Sequence, residues 1–459
     1  MAEPDQVFDA IVVGGSLAGL AAAVRLAKNR HRVLLLEAAD RLGGRLAPYR
    51  LTPGPSGKDA DGPGSDVEVD DWPGMITFPA PWRDLFRKSG RTFDDELARA
   101  DQALVPAPAP RHEFADGGQL VMPADRGLQY TVLSQAYGTA IADRWRDLVD
   151  HLDQVWQVLR PLGGEAELVD ADQLRAKKAV LQPGRTVADL AKAIDHPHLA
   201  AMINLTAWQL GSDPRRTPGW CAVSLSTERR FGRWMMTTGG RPDRTSTLLD
   251  RLVDRVGQRR IRVELDTTVT SIDALGPDPA DPGDRHRVTT TAGTFLGRTV
   301  ILATQPWEGL PLLGRAAAVE RRALGRTRPA LAPLTSHEVN STADAAAAAD
   351  VTPDAESEPT ETIRHTDRGP VISWTRPLAD GRIVTSTHDW TRARPDPGAG
   401  VAWRGARTAL RRPPIRSTAA GVFLAGPHSR GGADLPHTVL SGALASYAAH
   451  DLLADQPVG

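Results

Sequence analysis

A single cysteine, Cys221, occurs in 459 residues, which excludes an internal disulfide framework and any cysteine-built zinc or iron-sulfur site and points to a reducing cytosol. Lysine is nearly as scarce. It stands only at positions 28, 58, 88, 177, 178 and 192, so every permanent cation beyond Lys192 is an arginine. No apolar run reaches the roughly 20 residues that span a bilayer, and the opening MAEPDQVFDA is acidic where a secretion signal is basic. The expectation is a soluble, cytoplasmic protein with no transmembrane segment, which leaves room for peripheral membrane contact. A net charge of -1 offers no basic surplus for neutralising phosphates, and nucleic acid is excluded as a dedicated partner. No metal site is expected. Aromatics make up only 5% of the chain, yet its tryptophans outnumber its phenylalanines, 11 to 8. With 41% apolar and 24% charged residues the composition is that of a globular protein, long enough for about three structural units.

Alternation of strand-like and helix-like periods gives the organisation. Asp9 to Val13 is a short apolar run ending in glycine, Leu17 to Asn29 is Ala/Leu-rich and helical, and Arg32 to Glu37 is a second apolar run ending in an acid: a βαβ unit. Thr52 to Asp66 is crowded with Gly, Pro, Ser and Asp and reads as a loop. Residues 80 to 215 read mainly helical, with Ile141, Trp145, Leu148, Val149, Leu152, Val155, Trp156 and Leu159 spaced by threes and fours. From Thr247 a helix is followed by strand-like runs at Arg260 to Leu265, Thr268 to Ile272, Arg287 to Thr291 and Thr299 to Ala303. Val339 to Thr362 is acidic and poor in large apolar residues, which predicts a mobile surface insertion. Val422 to Ala425 reads as a strand and the Ala-rich stretch from about Thr438 as the closing helix.

The loop Gly14-Gly15-Ser16-Leu17-Ala18-Gly19 follows a strand and opens a helix, with Glu37 ending the next strand. That is the context of a dinucleotide fingerprint: backbone N-H groups at the helix start receive a pyrophosphate, Gly19 lets helix and strand approach, and Glu37 accepts from a ribose diol. Ser16 replaces the middle glycine. Beyond it, Glu37-Ala-Ala-Asp-Arg41-Leu-Gly43-Gly44-Arg45 supplies two cations and two glycines beside the same site.

This stretch resembles the signature that follows the second strand in FAD enzymes of the amine oxidase and phytoene desaturase superfamily. The resemblance continues through Val69 to Pro79, similar to the segment beside the flavin ring, and Phe114 to Pro123, similar to a substrate-domain hairpin. Gly239-Gly240 resembles the paired glycines under the flavin, and Val269 resembles the strand whose backbone meets the adenine. Ala303-Thr304-Gln-Pro306 resembles the family's A-T-x-P turn, and Gly426 with Thr438 and Val439 resembles the closing strand-loop-helix, whose N-terminus faces the flavin pyrimidine. The implied fold is α/β, a Rossmann-like FAD-binding domain with an inserted α+β substrate domain. The implied boundaries are 1–78, 219–311 and 416–459 for the FAD-binding parts, and 79–218 and 312–415 for the substrate parts.

The implied activity is FAD-dependent dehydrogenation, desaturation or oxidation of a largely apolar small organic molecule, by hydride transfer to N5 of a noncovalent flavin, with oxygen or a quinone as electron acceptor. Natural-product or isoprenoid metabolism is the expected setting. The missing lysines argue against a typical amine oxidase mechanism. Three departures fall at flavin contacts: Ser16, Trp72 where glycine is common, and Pro427 where an aspartate would hold the ribityl chain. They keep open a non-redox cyclase or isomerase with the flavin structural, reduced or lost. Trp82, Trp145, Trp156, Trp208 and Trp234 are candidate walls of the substrate site. His437, at the start of the closing helix, is the candidate general base, expected to be neutral beside a positive helix end, with His428 and Arg430 next in line.

Overall fold

The computed structural model describes residues 7–51, 67–276, 285–341 and 359–455. The loop expected over 52–66, the turn inside 277–284 and the centre of the expected insertion, 342–358, lie outside the described residues. The edges of that insertion are strand: Val339 and Asn340 pair with Val384 and Ile383, and Glu361 and Thr362 pair with Trp374 and Ser373. Backbone pairing holds these edges, helped by Val339 packing on the Val67, Val69 and Val384 cluster.

A seven-stranded sheet carries the βαβ unit. Val7–Val13 lies between Val33–Leu36 and Gly293–Leu302, with both pairings parallel, and Arg262–Glu264 extends the edge beyond Val33–Leu36. Val422–Leu424 also runs parallel to Gly293–Leu302, and Arg285–Thr290 and Val269–Leu275 add antiparallel strands. The first strand and its neighbour are buried almost without interruption, as central parallel strands must be. The first helix, Leu17–Lys28, is buried over ten consecutive residues, Leu17 to Leu26, because the sheet covers one side and the closing helix Leu435–Ala454 covers another.

A six-stranded sheet runs in the order Pro329–Ser341, Arg382–Val401, Val371–Pro377, Glu361–Arg364, Arg111–Glu113 and Gln119–Val121. Segments more than two hundred residues apart thus share one sheet, through the parallel pairing of Ile363 with His112. Helices from the 126–231 region cover it, with their own core built on Trp145, Val149, Leu152, Leu199, Ile203 and Trp220. Among the described residues, no helix is long and apolar enough to cross a membrane.

Candidate functional site

Gly14 turns the chain at φ 102°, and a Cβ there would stand 2.9 Å from the Ala303 carbonyl oxygen. Ser16, the residue before the first helix, does not cap it. Its Oγ donates instead to the Ala303 carbonyl at 2.8 Å. The leading N-H groups of the helix therefore keep no side-chain partner, and a helix start left open in this way is a site for an anion. Ser16 is tolerated at the glycine position because its hydroxyl turns toward Ala303 rather than toward the helix end. Gly19 is required by packing, since a Cβ there would lie 2.0 Å from the Gly14 oxygen, and Ala18 beside it is fully buried.

Glu37 holds the second half of this end. Its Oε2 accepts from the Gly15 N-H at 2.6 Å and its Oε1 from the Ala39 N-H at 2.8 Å. The Thr267 N-H donates to the Glu37 carbonyl, which sets the strand beginning at Val269 beside the carboxylate. Gly43 donates to the Gly15 oxygen at 2.7 Å at φ 110°, where a Cβ would strike Leu249; Gly44 and Arg41 are exposed. Thr304 Oγ1 is buried without a partner next to this loop. An open helix start, a carboxylate at the strand end and the exposed Arg41 fit the pyrophosphate and one ribose of a dinucleotide.

At the other end Arg45 lies 3.8 Å from Asp396, with its guanidinium 5.6 Å over the Trp72 ring. Trp72 Nε1-H donates to the Arg45 carbonyl at 2.8 Å, so the indole that departs from the resembled pattern is an anchored wall. Gly426, buried at φ 140°, donates its N-H to Ser441 Oγ at 2.9 Å, while Pro427 beside it has no N-H to offer. Thr438 and Val439 are buried in the closing helix. Gly240 sits at φ 73° on an exposed hairpin turn, where no protein atom stands within 4 Å of a Cβ.

The expected state of His437 is also corrected. The closing helix begins at Leu435, and Asp434 caps it, accepting from the His437 N-H at 2.8 Å. The same Asp434 Oδ1 lies 2.6 Å from His437 Nδ1. Burial lowers the basicity of the imidazole, but the charge and hydrogen bond of Asp434 outweigh it and the net shift is upward. A helix dipole was expected to keep His437 neutral; a carboxylate at the cap reverses the sign. His428 is pulled to about 3 by complete burial and by Arg412, and Arg430 binds the carbonyls of Leu168, Val169 and Arg412. Arg430 thereby ties its loop to residues 168 and 169, while His428 Nδ1 is buried without a partner.

Arg45, Trp72, Phe78, Asp434 and His437 border a cavity of about 1280 Å³. Of the tryptophans expected as walls, Trp145 and Trp156 line it, whereas Trp82 is fully buried in the core of the first sheet. Trp208 and Trp234 are not part of its lining; Trp220, Trp374, Trp390 and Trp403 are. Its floor is one face of the six-stranded sheet. His112, Ile363, Ile372, His388 and Thr335 stand in one cross-strand row, each paired with the next. Burial keeps the row's two imidazoles uncharged: His388 falls to about 4 despite Asp71 nearby, and His112 is pushed well below its ordinary value by burial, His365 and Arg233. Sequence reasoning missed His112, His388, Arg233 and Glu361, because no local motif marks residues that only strand register brings together.

Residues 12–87 match the family model of the NAD(P)-binding Rossmann-like domain. Hydroxyneurosporene desaturase of Cereibacter sphaeroides is 27% identical over 257 residues, 54% of this chain and 48% of that protein. Neurosporene-forming phytoene desaturase of Rhodobacter capsulatus is 24% identical over 268 residues, 58% of this chain and 48% of that protein. The chain spans about half the length of the curated relatives it matches. Cyclohexylamine oxidase from Brevibacterium oxydans superposes with a TM-score of 0.62 at 15% identity, covering 97% of this chain and 100% of that one. The fold is that of an amine oxidase. In sequence the chain is similar to carotenoid desaturases, and the Rossmann-like match covers the open helix start and Glu37.

Proposed function

We propose that the chain is an FAD-dependent oxidoreductase acting on a largely apolar small organic molecule, with isoprenoid or other natural-product metabolism as its setting and oxygen or a quinone as electron acceptor. The observation that carries this reading is the uncapped start of the first helix beside Glu37, on a chain whose Arg45 and Trp72 side chains also border a large cavity. Gly14, Gly15, Ser16, Ala18 and Gly19 would hold the pyrophosphate, Glu37 a ribose, Val269 the adenine side, and Gly43 to Arg45 with Ala303 and Thr304 the surrounding wall. FAD, when bound, supplies a two-electron acceptor. The chain's own contribution is to exclude water with indole and aliphatic walls and to offer neutral imidazoles. Burial keeps His388 and His112 neutral and reluctant to take a proton, whereas Asp434 strengthens His437 as a proton acceptor.

Purified protein should bind FAD noncovalently, and Glu37→Ala should weaken that binding by one to two decades, since a hydrogen bond to a charged group is worth roughly 1.5–3 kcal/mol. Flavin absorbance and FAD titration read this directly. Protein that takes up no added FAD sinks the proposal.

A further inference from the structure

His112 stands on the cavity floor, and the hydrogen bond it makes leads out of the cavity. Ile363 is paired with His112 across the strands, and His365, two residues beyond Ile363, comes onto the same face one step further along. His112 Nδ1 meets His365 Nε2 at 2.9 Å, with the rings 5.2 Å apart and within 11° of parallel. His112 lines the cavity and His365 does not. Neither His112 Nε2 nor His365 Nδ1 has a protein partner among the described residues, and both retain accessible surface. One free nitrogen therefore belongs to the cavity and the other to the space beyond it. From there the face runs to solvent: His365 stacks on Phe114 at 5.1 Å and Phe114 on His198 at 3.8 Å, and His198 Nε2 lies 2.9 Å from Asp116, whose side chain is 64% exposed.

Two hydrogen-bonded imidazoles can pass a proton on, because each neutral ring carries one donor and one acceptor. With His112 Nδ1-H donating to His365 Nε2, a proton arriving from the cavity bonds to His112 Nε2. The Nδ1-H bond of His112 breaks as an N-H bond forms at His365 Nε2, and His365 gives its Nδ1 proton to water. One proton enters and one leaves. Both rings end neutral in the opposite tautomers, set for a transfer inward. Their surroundings suit passage over storage: burial pulls His365 to about 4, and burial, His365 and Arg233 push His112 well below its ordinary value. Neither ring pairs with a carboxylate among the described residues, whereas His437 has Asp434 to favour its charged form.

We propose that His112 and His365 relay protons between the cavity and solvent, outward when the substrate is dehydrogenated and inward when oxygen or a quinone is reduced. This rests on the oxidoreductase reading for its purpose, not for its geometry. Removing two hydrogens from a substrate, one of them as hydride to the flavin, leaves one proton in a space walled by indoles and aliphatic side chains. Passing that hydride's two electrons on to an acceptor that ends with two hydrogens takes one proton back. The alternating tautomers match this cycle, and neither ring has to turn over within a packed sheet.

Two measurements test the relay. With isotope-labelled histidine, nitrogen NMR should show the two ring nitrogens coupled through a shared proton and both rings neutral at about pH 7, whether or not flavin is bound. FAD-loaded protein is then reduced anaerobically with reduced methyl viologen, which donates electrons alone. The proton that accompanies flavin reduction must come from solvent, and a pH indicator in weak buffer follows it. His112→Phe and His365→Phe should each slow that uptake roughly a hundredfold with FAD content unchanged, the low end of what a positioned proton carrier supplies, and added imidazole should restore part of the rate. Nitrogens that share no proton, or uptake as fast in both folded variants as in the parent, overturn the inference; if neither variant folds, the coupling decides. A coupled pair in protein that takes up no FAD would overturn the redox reading and leave the relay standing.

Discussion

Asp434 and His437 show how one residue at a helix cap can reverse an electrostatic expectation. Each group is shifted toward its charged form: burial and then Asp434 act on His437 with a net rise above 6.5, and burial and then His437 act on Asp434 with a net fall below 3.8. A raised histidine contributes stability fully below its unfolded value and loses it as pH rises through the folded value. A depressed aspartate contributes above its unfolded value and loses it as pH falls through the folded one. The pair is therefore at full strength between about 4 and 6.5. Because the Asp434 side chain is 49% exposed, solvent screening limits the contribution to under about 1 kcal/mol. Asp434→Asn keeps a cap but removes the charge. Urea unfolding should show the parent more stable than Asp434→Asn at pH 6, with the gap narrowing at pH 9. A gap that is the same at both pH values would mean that the two groups are not coupled.

At the scale of elements, the site depends on two helices meeting at their small residues. A Cβ on Gly442 of the closing helix would stand 2.3 Å from the Ala18 carbonyl oxygen of the first helix, and backbone cannot yield as a flexible side chain can. Gly442→Ala should separate the two helices, destabilise the protein by about 1–3 kcal/mol and lower its FAD retention. Gly257→Ala is the control: it lies in the helix Thr247–Gln258 with nothing within 4 Å of a Cβ, and it should be neutral or stabilising by up to about 1 kcal/mol. Thermal unfolding of the two variants side by side decides the matter. If Gly442→Ala melts with the parent and keeps its flavin, helix contact does not set the site.

Over the whole molecule, the six-stranded sheet is assembled from distant stretches, and its edges define what can be removed. Thr360 donates its N-H to Thr375 Oγ1 at 2.9 Å, and Pro359 is buried, so a deletion that included them would cut into the sheet. Replacing only 342–358 with an eight-residue Gly/Ser linker, whose r.m.s. reach of about 16 Å suits a gap of three strand spacings, should leave soluble protein with unchanged melting temperature and FAD content. Insoluble protein, or a melting temperature several degrees lower, would show that the replaced residues contribute contacts of their own.

The sequence alone determined the first sheet's βαβ unit and the open helix start beside Glu37, because Gly14, Gly19, Glu37 and Gly43 act through local backbone geometry that a short motif encodes. It also carried the apolar stripe of Trp145, Val149, Leu152 and Trp156, since helical periodicity is local as well. Tertiary structure decided the rest. Trp82 and Trp145 are both buried tryptophans, and only the packing of whole layers puts one in a core and the other on a cavity wall. His437 owes its charge preference to a cap three residues away whose rotamer the sequence does not fix. His112, Ile363, Ile372 and His388 form a single row through pairings that span up to some 250 residues, and strand register over such distances is set by the cooperative packing of the sheet, not by any signal within one strand.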